Sequence, residues 1–401
     1  MRILTLALGV PFPPIGGGLT RTFHLLKALA AEHDVTLAAF TYGEAHEDPP
    51  YSLRLETVPW KWSEAYREMT GADADASHRA YQRLTYGDSD PWFASVMDRD
   101  AMEEALARLL AVPPDLVLLE GTPLARFLPG LPAAVPCVLD LFDVHSVMAR
   151  RAVDDASADD RPAASREAER TLAFERWAVA RCAACLTVSE QDAAAARTLL
   201  AATTVHVVPN GVDTAYFAPS ASRPEPGTLL FTGRMSYQPN ADAAIDFARH
   251  VLPLIQRECP DVRFHIVGAA PPPEVTALGS AAVIVHGRVD DVRPHFRAAE
   301  VVVVPVRVGG GTRLKVLEAA ASGKAIVSTS LGTQGLAFED GRDLLVADAA
   351  PAFATAVVAL LRDPARREAL GISARAAVRQ YDWMVIGKHL RNALAGLFSR
   401  S

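Results

Sequence analysis

Three loops in this sequence put glycine and positive charge where a buried strand gives way to a helix. The longest follows the apolar run Val301–Val306 and contains Gly309, Gly310, Gly311, Thr312, Arg313 and Lys315. A helix then carries Glu318, and Gly323 leads into a further apolar run. Glycines let backbone amides approach a ligand, and the first amides of a helix have no partners of their own. With Arg313 and Lys315 beside them, such amides are suited to a diphosphate. Glu318 sits among apolar neighbours, where a carboxylate needs a hydrogen-bonding reason, and ribose hydroxyls supply one. The plain alternative is a helix start with solvated surface charges. A second loop, Gly16, Gly17 and Gly18, separates the first apolar run from a helix beginning near Leu19. It is not the dinucleotide fingerprint G-x-G-x-x-G, and a loop that merely needs unusual dihedrals remains open. In the third, Arg234 emerges from the run Thr228–Arg234. Its planar fork suits phosphate oxygens, and local pairing is the other reading.

The elements that must position these loops follow from the spacing of apolar residues. Strands are expected at Ile3–Gly9, Val35–Tyr42, Leu53–Val58, Asp115–Gly121, Pro136–Val144, Cys185–Ser189 and Val205–Val208. A second set lies at Thr228–Arg234, Arg263–Gly268, Ala282–Gly287, Val301–Val306 and Ala325–Ser328. Helical patterns fall between them, notably at Leu19–Ala31, Phe93–Ala111 and 163–184. Three more close the chain, at Pro351–Arg362, Pro364–Gln380 and Trp383–Ser399. Continuous rather than alternating apolar strands imply burial on both faces, as in a parallel sheet covered by helices. Pro219–Gly227 reads as a linker. The fold class is therefore α/β, with two doubly wound, Rossmann-like domains facing a cleft and ligands above the carboxyl ends of the strands. Residues 1–212 form the first domain and 213–380 the second; 381–401 form a helix expected to return to the first.

Bulk properties exclude several classes. The 401 residues allow two to three domains, half of them are hydrophobic, and the formal net charge is −7. An acidic chain lacks the basic footprint of a nucleic-acid binder. Arg2 and the apolar residues after it imitate a signal peptide, but Pro11–Gly18 follows instead of a small-residue cleavage site. No apolar run reaches the roughly 18 residues of a membrane span. A cytoplasmic protein is expected, with peripheral membrane contact still open. Cys137, Cys182, Cys185 and Cys259 lie in or beside apolar runs and read as buried free thiols. Cys182 and Cys185 make a C-x-x-C with no second pair to complete a zinc site.

Several strings, taken together, resemble the GT-B glycosyltransferases of family 4. These are Leu230–Arg234 (Leu-Phe-Thr-Gly-Arg), Val285–Val292 (Val-His-Gly-Arg-Val-Asp-Asp-Val) with Phe296, and Leu317–Gly323 (Leu-Glu-Ala-Ala-Ala-Ser-Gly). Val188–Glu190 and Val208–Asp213 match as well. The likeness is strong over 185–350 and thin over 45–110. The Gly-Gly-Gly-Thr-Arg-Leu-Lys loop resembles a bacterial subset tied to surface-polysaccharide or small-molecule glycosylation. The resemblance implies transfer of a sugar from a nucleotide-diphosphate donor to an acceptor hydroxyl, with retention of configuration and no required metal or cofactor. It places Gly16, Gly17, Gly18, Arg234, Gly287, Gly310, Gly311, Thr312, Arg313, Lys315 and Glu318 at the donor. The acceptor would be a glycan, a lipid-linked glycan or a small molecule.

Three departures from the family pattern stand out. The first of its two glutamates is Gly310 here, so sugar contacts fall to backbone amides around 310–312, while Glu318 keeps the ribose. The family's lysine six residues after the arginine is Asn240, with Lys315 the candidate to replace its charge. The family's active-site histidine at the end of the fifth strand is Phe142, followed by Asp143 and His145. Either of those two is a candidate to orient the sugar or assist the acceptor hydroxyl; Asp143 as a helix cap is the alternative. Trp60, Trp62, Tyr66 and Trp92 are candidate acceptor-stacking groups or plain surface packing. Two other functions fit the architecture: a hydrolysing nucleotide-sugar epimerase and a two-lobed solute-binding protein. The first lacks a visible acid–base set, and the second requires export.

Overall fold

The structure is a computed structural model that describes residues 1–43, 46–63, 91–95, 97–308 and 312–398. The chain divides into two units, Met1–Pro209 with Gly387–Ser401, and Asn210–Ile386. In the first, apolar runs become the parallel strands β1 (Arg2–Ala7), β2 (Asp34–Thr41), β3 (Arg54–Pro59), β4 (Leu116–Glu120), β5 (Cys137–Leu141), β6 (Ala184–Thr187) and β7 (Val205–Val207). Their spatial order is β3-β2-β1-β4-β5-β6-β7. The order reverses between β1 and β4, the doubly wound pattern that opens a crevice at the strands' carboxyl edge. Leu116–Leu119, Val138 and Leu139 are wholly buried, as strands covered on both faces must be.

The helices of this unit are α1 (Gly17–Ala30), α2 (Trp92–Ser95), α3 (Asp100–Leu109), α4 (His145–Asp155), α5 (Arg161–Val179) and α6 (Glu190–Leu199). Ser189 caps α6 by accepting the Asp192 amide at 3.0 Å. α1 starts two residues earlier than expected, on Gly17, with Gly16 in the left-handed region at φ 89°. The expected single helix at Phe93–Ala111 is broken. Met97 bridges to Trp62, and the Asp98 carboxylate takes the Asp100 amide to start α3 afresh.

The second unit holds six parallel strands, β8 (Thr228–Thr232), β9 (Arg263–Val267), β10 (Val283–Gly287), β11 (Val301–Val304), β12 (Ala325–Ser328) and β13 (Leu345–Val346). Their order is β10-β9-β8-β11-β12-β13. Helix α7 (Gln238–Asp246) widens into a π turn at Phe247–Val251 and continues as α8 (Leu252–Gln256). Pro253, with no amide to return to the preceding turn, accounts for the widening. There follow α9 (Pro273–Thr276), α10 (Arg293–Ala298), α11 (Leu314–Ala321), α12 (Ala350–Arg362), α13 (Pro364–Ala377) and α14 (Trp383–Phe398). Phe231, Phe247, Phe264, Phe353 and the valines of β11 form the centre of this core.

Helix α14 is divided between the units at Gly387. From there on it packs on α1. A Cβ on Gly387 would lie 2.7 Å from that of Ala28, and Arg391 pairs with Glu32 at 3.0 Å. No described helix is long and apolar enough to cross a membrane.

Candidate functional site

Three neighbouring strands of the second sheet run into glycine at their carboxyl ends. Gly233 follows β8, Gly268 follows β9, and Gly287 closes β10. Gly233 donates its amide to Val267 (3.0 Å), and Gly268 donates to Gly287 (2.9 Å). A side chain on Gly268 would collide with the Gly233 carbonyl oxygen, and Gly233 itself has φ 149°. The strand ends therefore pack backbone to backbone and leave room beside them for one buried cation. Lys315, from the first turn of α11, fills it.

The Lys315 ammonium donates to Asn240 Oδ1 at 2.6 Å and lies 4.3 Å above the Phe231 ring. Asn240 in turn donates to the Arg234 carbonyl at 2.8 Å. The amine at the start of α11 thus meets the position where the family pattern carries a lysine, although 75 residues separate them in sequence. Burial pushes the Lys315 amine down to about 7, Arg313 adds to the shift, and Glu318 opposes it. Burial pushes the Glu318 carboxyl up to about 7, with Lys315 opposing. Glu318 stands half-buried among wholly buried Val316, Leu317 and Ala319, and no described donor bonds to its carboxylate.

Arg313 takes the N-cap position of α11 and is half-buried, as is Thr312, whose buried hydroxyl has no partner among the described residues. Arg234 is exposed. Gly310 and Gly311 lie outside the described residues. Within this unit the structure brings together Arg234, Gly287, Arg313, Lys315 and Glu318. It adds Gly233, Gly268, Phe231 and Asn240. Gly233 was legible inside the Leu230–Arg234 string, and Gly268 only as the last residue of an expected strand.

In the first unit, Gly16, Gly17 and Gly18 are exposed at the start of α1. That start and the β5 end emerge from the same edge of an all-parallel sheet. α1 is anchored by Arg21, which makes two bonds to Asp140 of β5 (2.7 and 2.9 Å) and one to the Val208 carbonyl (2.8 Å). Arg21 and Asp140 are both buried. Beside them, burial and the Asp140 charge push the Glu120 carboxyl well above the usual carboxylate range, while Arg21 opposes. A Cβ on Gly121 would come 3.0 Å from the Phe142 ring, and its φ of 115° suits glycine alone.

Asp143 does not cap α4. Val144 holds the N-cap position without a side-chain bond, and the first amides go to Glu175 of α5. His145 and Ser146 each donate a backbone amide to the Glu175 carboxylate at 2.9 Å. A carboxylate at a helix N-terminus meets the positive end of its dipole. Burial raises the Glu175 carboxyl, and these bonds and Thr122 restrain the rise. Burial pushes His145 down to about 4, so its ring is neutral at pH 7. Its ring lies tilted by 40° against that of Phe93, centroids 4.6 Å apart, and about a quarter of its side chain stays exposed.

Of the aromatic candidates, Trp60 packs against Phe40 and Tyr42, each at 5.1 Å, and Trp62 stands edge-on to it at 5.5 Å. Tyr66 and the side chain of Trp92 lie outside the described residues. All four cysteines are free. The Cys182 thiol is raised by its hydrogen bond to Cys137 and by burial, and Cys185 by burial first. A thiol held protonated in this way is a poor nucleophile.

A family model described as Glycosyltransferase Family 4 matches residues 15–216, half of the chain. The chain belongs to glycosyltransferase family 4. A second model, Glycosyl transferases group 1, matches residues 226–363 of this family 4 chain. The phosphatidyl-myo-inositol mannosyltransferase of Mycobacterium tuberculosis is 32% identical over 199 residues, covering 46% of this chain and 52% of the relative. The D-inositol 3-phosphate glycosyltransferase of Xylanimonas cellulosilytica is 32% identical over 208 residues, covering 45% and 48%. The family 4 chain thus spans about half the length of the curated relatives it matches. Among solved structures, sucrose-phosphate synthase of Thermosynechococcus elongatus superposes with a TM-score of 0.72 at 18% identity, covering all of both chains. Anabaena HepE in complex with UDP superposes at 0.66 with 15% identity, covering 99% and 100%. The fold of this family 4 chain is GT-B, two α/β units with parallel sheets.

Proposed function

We propose that the chain is a glycosyltransferase that moves a sugar from a nucleotide-diphosphate donor to an acceptor hydroxyl with retention of configuration. The observation that carries this reading is the buried Lys315 ammonium held at the glycine-lined strand ends by Asn240 and Phe231. An amine whose charge burial opposes regains that charge when an anion binds beside it. As the bond between the sugar and the diphosphate breaks, negative charge grows on the leaving oxygen. Lys315, Arg313, Arg234 and the α11 amides are the groups to stabilise it, without a metal. Glu318, lacking a described donor, accepts from ribose hydroxyls. Asp143 and His145 orient the sugar or the acceptor hydroxyl, His145 as a neutral ring. The related mannosyltransferase and inositol phosphate glycosyltransferase favour an acceptor bearing an inositol or similar polyol, free or lipid-linked. Action at the cytoplasmic side without nucleic acid completes the reading.

The test is a thermal-shift screen against UDP, GDP, TDP and their sugars, since a ligand that binds only the folded state raises apparent stability. The donor identified is then incubated with polyol acceptors in chelator, and the product's anomeric configuration is read by NMR. A retained linkage formed without metal is expected. Free nucleoside diphosphate released together with an epimerised sugar would replace transfer by epimerisation.

A further inference from the structure

We propose that His265, His286 and His295 form a binding site for one divalent transition metal, zinc in preference, at the edge of the second sheet. The site stands apart from the transferase reading. His265 lies on β9, His286 on the edge strand β10, and His295 on α10. The β9–β10 register shifts between Val285 and Gly287, so His286 occupies the irregularity and its ring swings toward its neighbour. His286 Nε2 lies 3.1 Å from His265 Nδ1, and the His286 and His295 rings are 4.5 Å apart between centroids. One nitrogen from each of the three residues lies within 4.8 Å of those of the other two. Around a tetrahedral zinc with Zn–N bonds of 2.0–2.1 Å, ligand nitrogens are about 3.4 Å apart, so small ring rotations complete the set. His265 Nε2 is buried and has no partner among the described residues, which leaves that ring a nitrogen to use once the His–His bond is exchanged for a metal.

The donor set fixes the class of cation. Three imidazoles suit zinc, copper or nickel, whereas magnesium, manganese and calcium require oxygen. The nearest acids do not supply it. Asp291 is engaged by Arg293 at 2.9 and 3.0 Å and receives the Tyr216 hydroxyl, and Glu225 is exposed. The fourth position is left to water. A metal here would tie β9, β10 and α10 together one residue before Gly287, the glycine whose carbonyl receives the Gly268 amide.

The full chain, stripped with chelator, is titrated with zinc chloride by calorimetry and thermal shift, with magnesium chloride in parallel. One equivalent of zinc with a rise in melting temperature is expected, and no shift with magnesium. His286→Asn and His295→Asn are each expected to weaken zinc binding at least tenfold while leaving the metal-free melting temperature unchanged. Cobalt substituted for zinc reports the geometry through the visible bands of tetrahedral coordination, and these are expected to vanish in both variants. Should one substitution prevent folding, the other gives the same reading. No zinc uptake, or uptake and cobalt bands that survive both substitutions, overturns the site.

Discussion

Lys315 and Glu318 carry opposite charges that burial tries to remove, and both are poised at about 7. An anionic ligand favours the ammonium, so it draws the Lys315 titration upward. Binding of the cognate nucleoside diphosphate at pH 8 is therefore expected to take up about one proton, as linkage requires. Calorimetry in two buffers of different ionisation enthalpy measures this, and Lys315→Met should abolish it. Turnover should fall about 10²-fold in Lys315→Ala and in Arg313→Ala. The same burial has a cost without ligand. Glu318, raised when folded, contributes stability below its ordinary 4.5 and loses it as pH rises to about 7. Lys315, lowered when folded, destabilises increasingly as pH falls from its ordinary 10.5 to about 7. Ligand-free Glu318→Gln should therefore melt higher than wild type at pH 8 and equally at pH 4; a lower melting point at pH 8 would mean that attraction to Lys315 outweighs burial. With ligand, Glu318→Ala should cost roughly 1.5–3 kcal/mol of nucleoside diphosphate affinity, and far less for the 2′,3′-dideoxy analogue. The charges of this site were legible, because a strand, glycines and a helix start lie in one run of sequence. The contact with Asn240 was legible only as a missing lysine, since no local spacing predicts which side chain crosses 75 residues.

Glu175 shows why elements were easier to read than the contacts between them. Its helix looks like any charged surface helix, and nothing in residues 161–179 marks one glutamate as buried. Yet Glu175 is wholly buried and holds the start of α4, thirty residues earlier. Glu175→Ala leaves two helix amides without an acceptor and should destabilise by about 3 kcal/mol in urea unfolding. It should also lower turnover if His145 is used, because the ring leaves its place with the helix start. His145, neutral above about pH 4, should add no step of its own between pH 6 and 8, so His145→Ala is expected to leave the shape of the pH–rate profile there unchanged; a step near 6.5 that disappears in the variant would show that it titrates as an ordinary histidine. Continuously apolar strands such as β4 and β11 were legible from composition, since burial on both faces leaves no polar alternation. The two-residue strand β13 was not, being too short to form a pattern. The break between α2 and α3 depends on Asp98 accepting an amide and Met97 pairing with Trp62, neither of which periodicity records.

On the scale of the whole chain, the first unit is built from both ends of the sequence, with all of the second unit threaded between them. A Gly387→Leu substitution would drive a side chain into Ala28, and should lower the melting transition of the first unit by several degrees while sparing the second. Calorimetry that resolves two transitions makes the comparison. The arrangement also imposes an order of events on a ribosome. The start of the chain can form its sheet as it emerges, but the helix that covers the outer side of Ala28 and Glu32 arrives only after residues 210–386 have been translated. At roughly 5–20 residues per second that interval is on the order of ten to thirty seconds. Throughout it, α1 lacks the helix segment that packs against Ala28, so the first unit is complete only once residues 387–398 have been made.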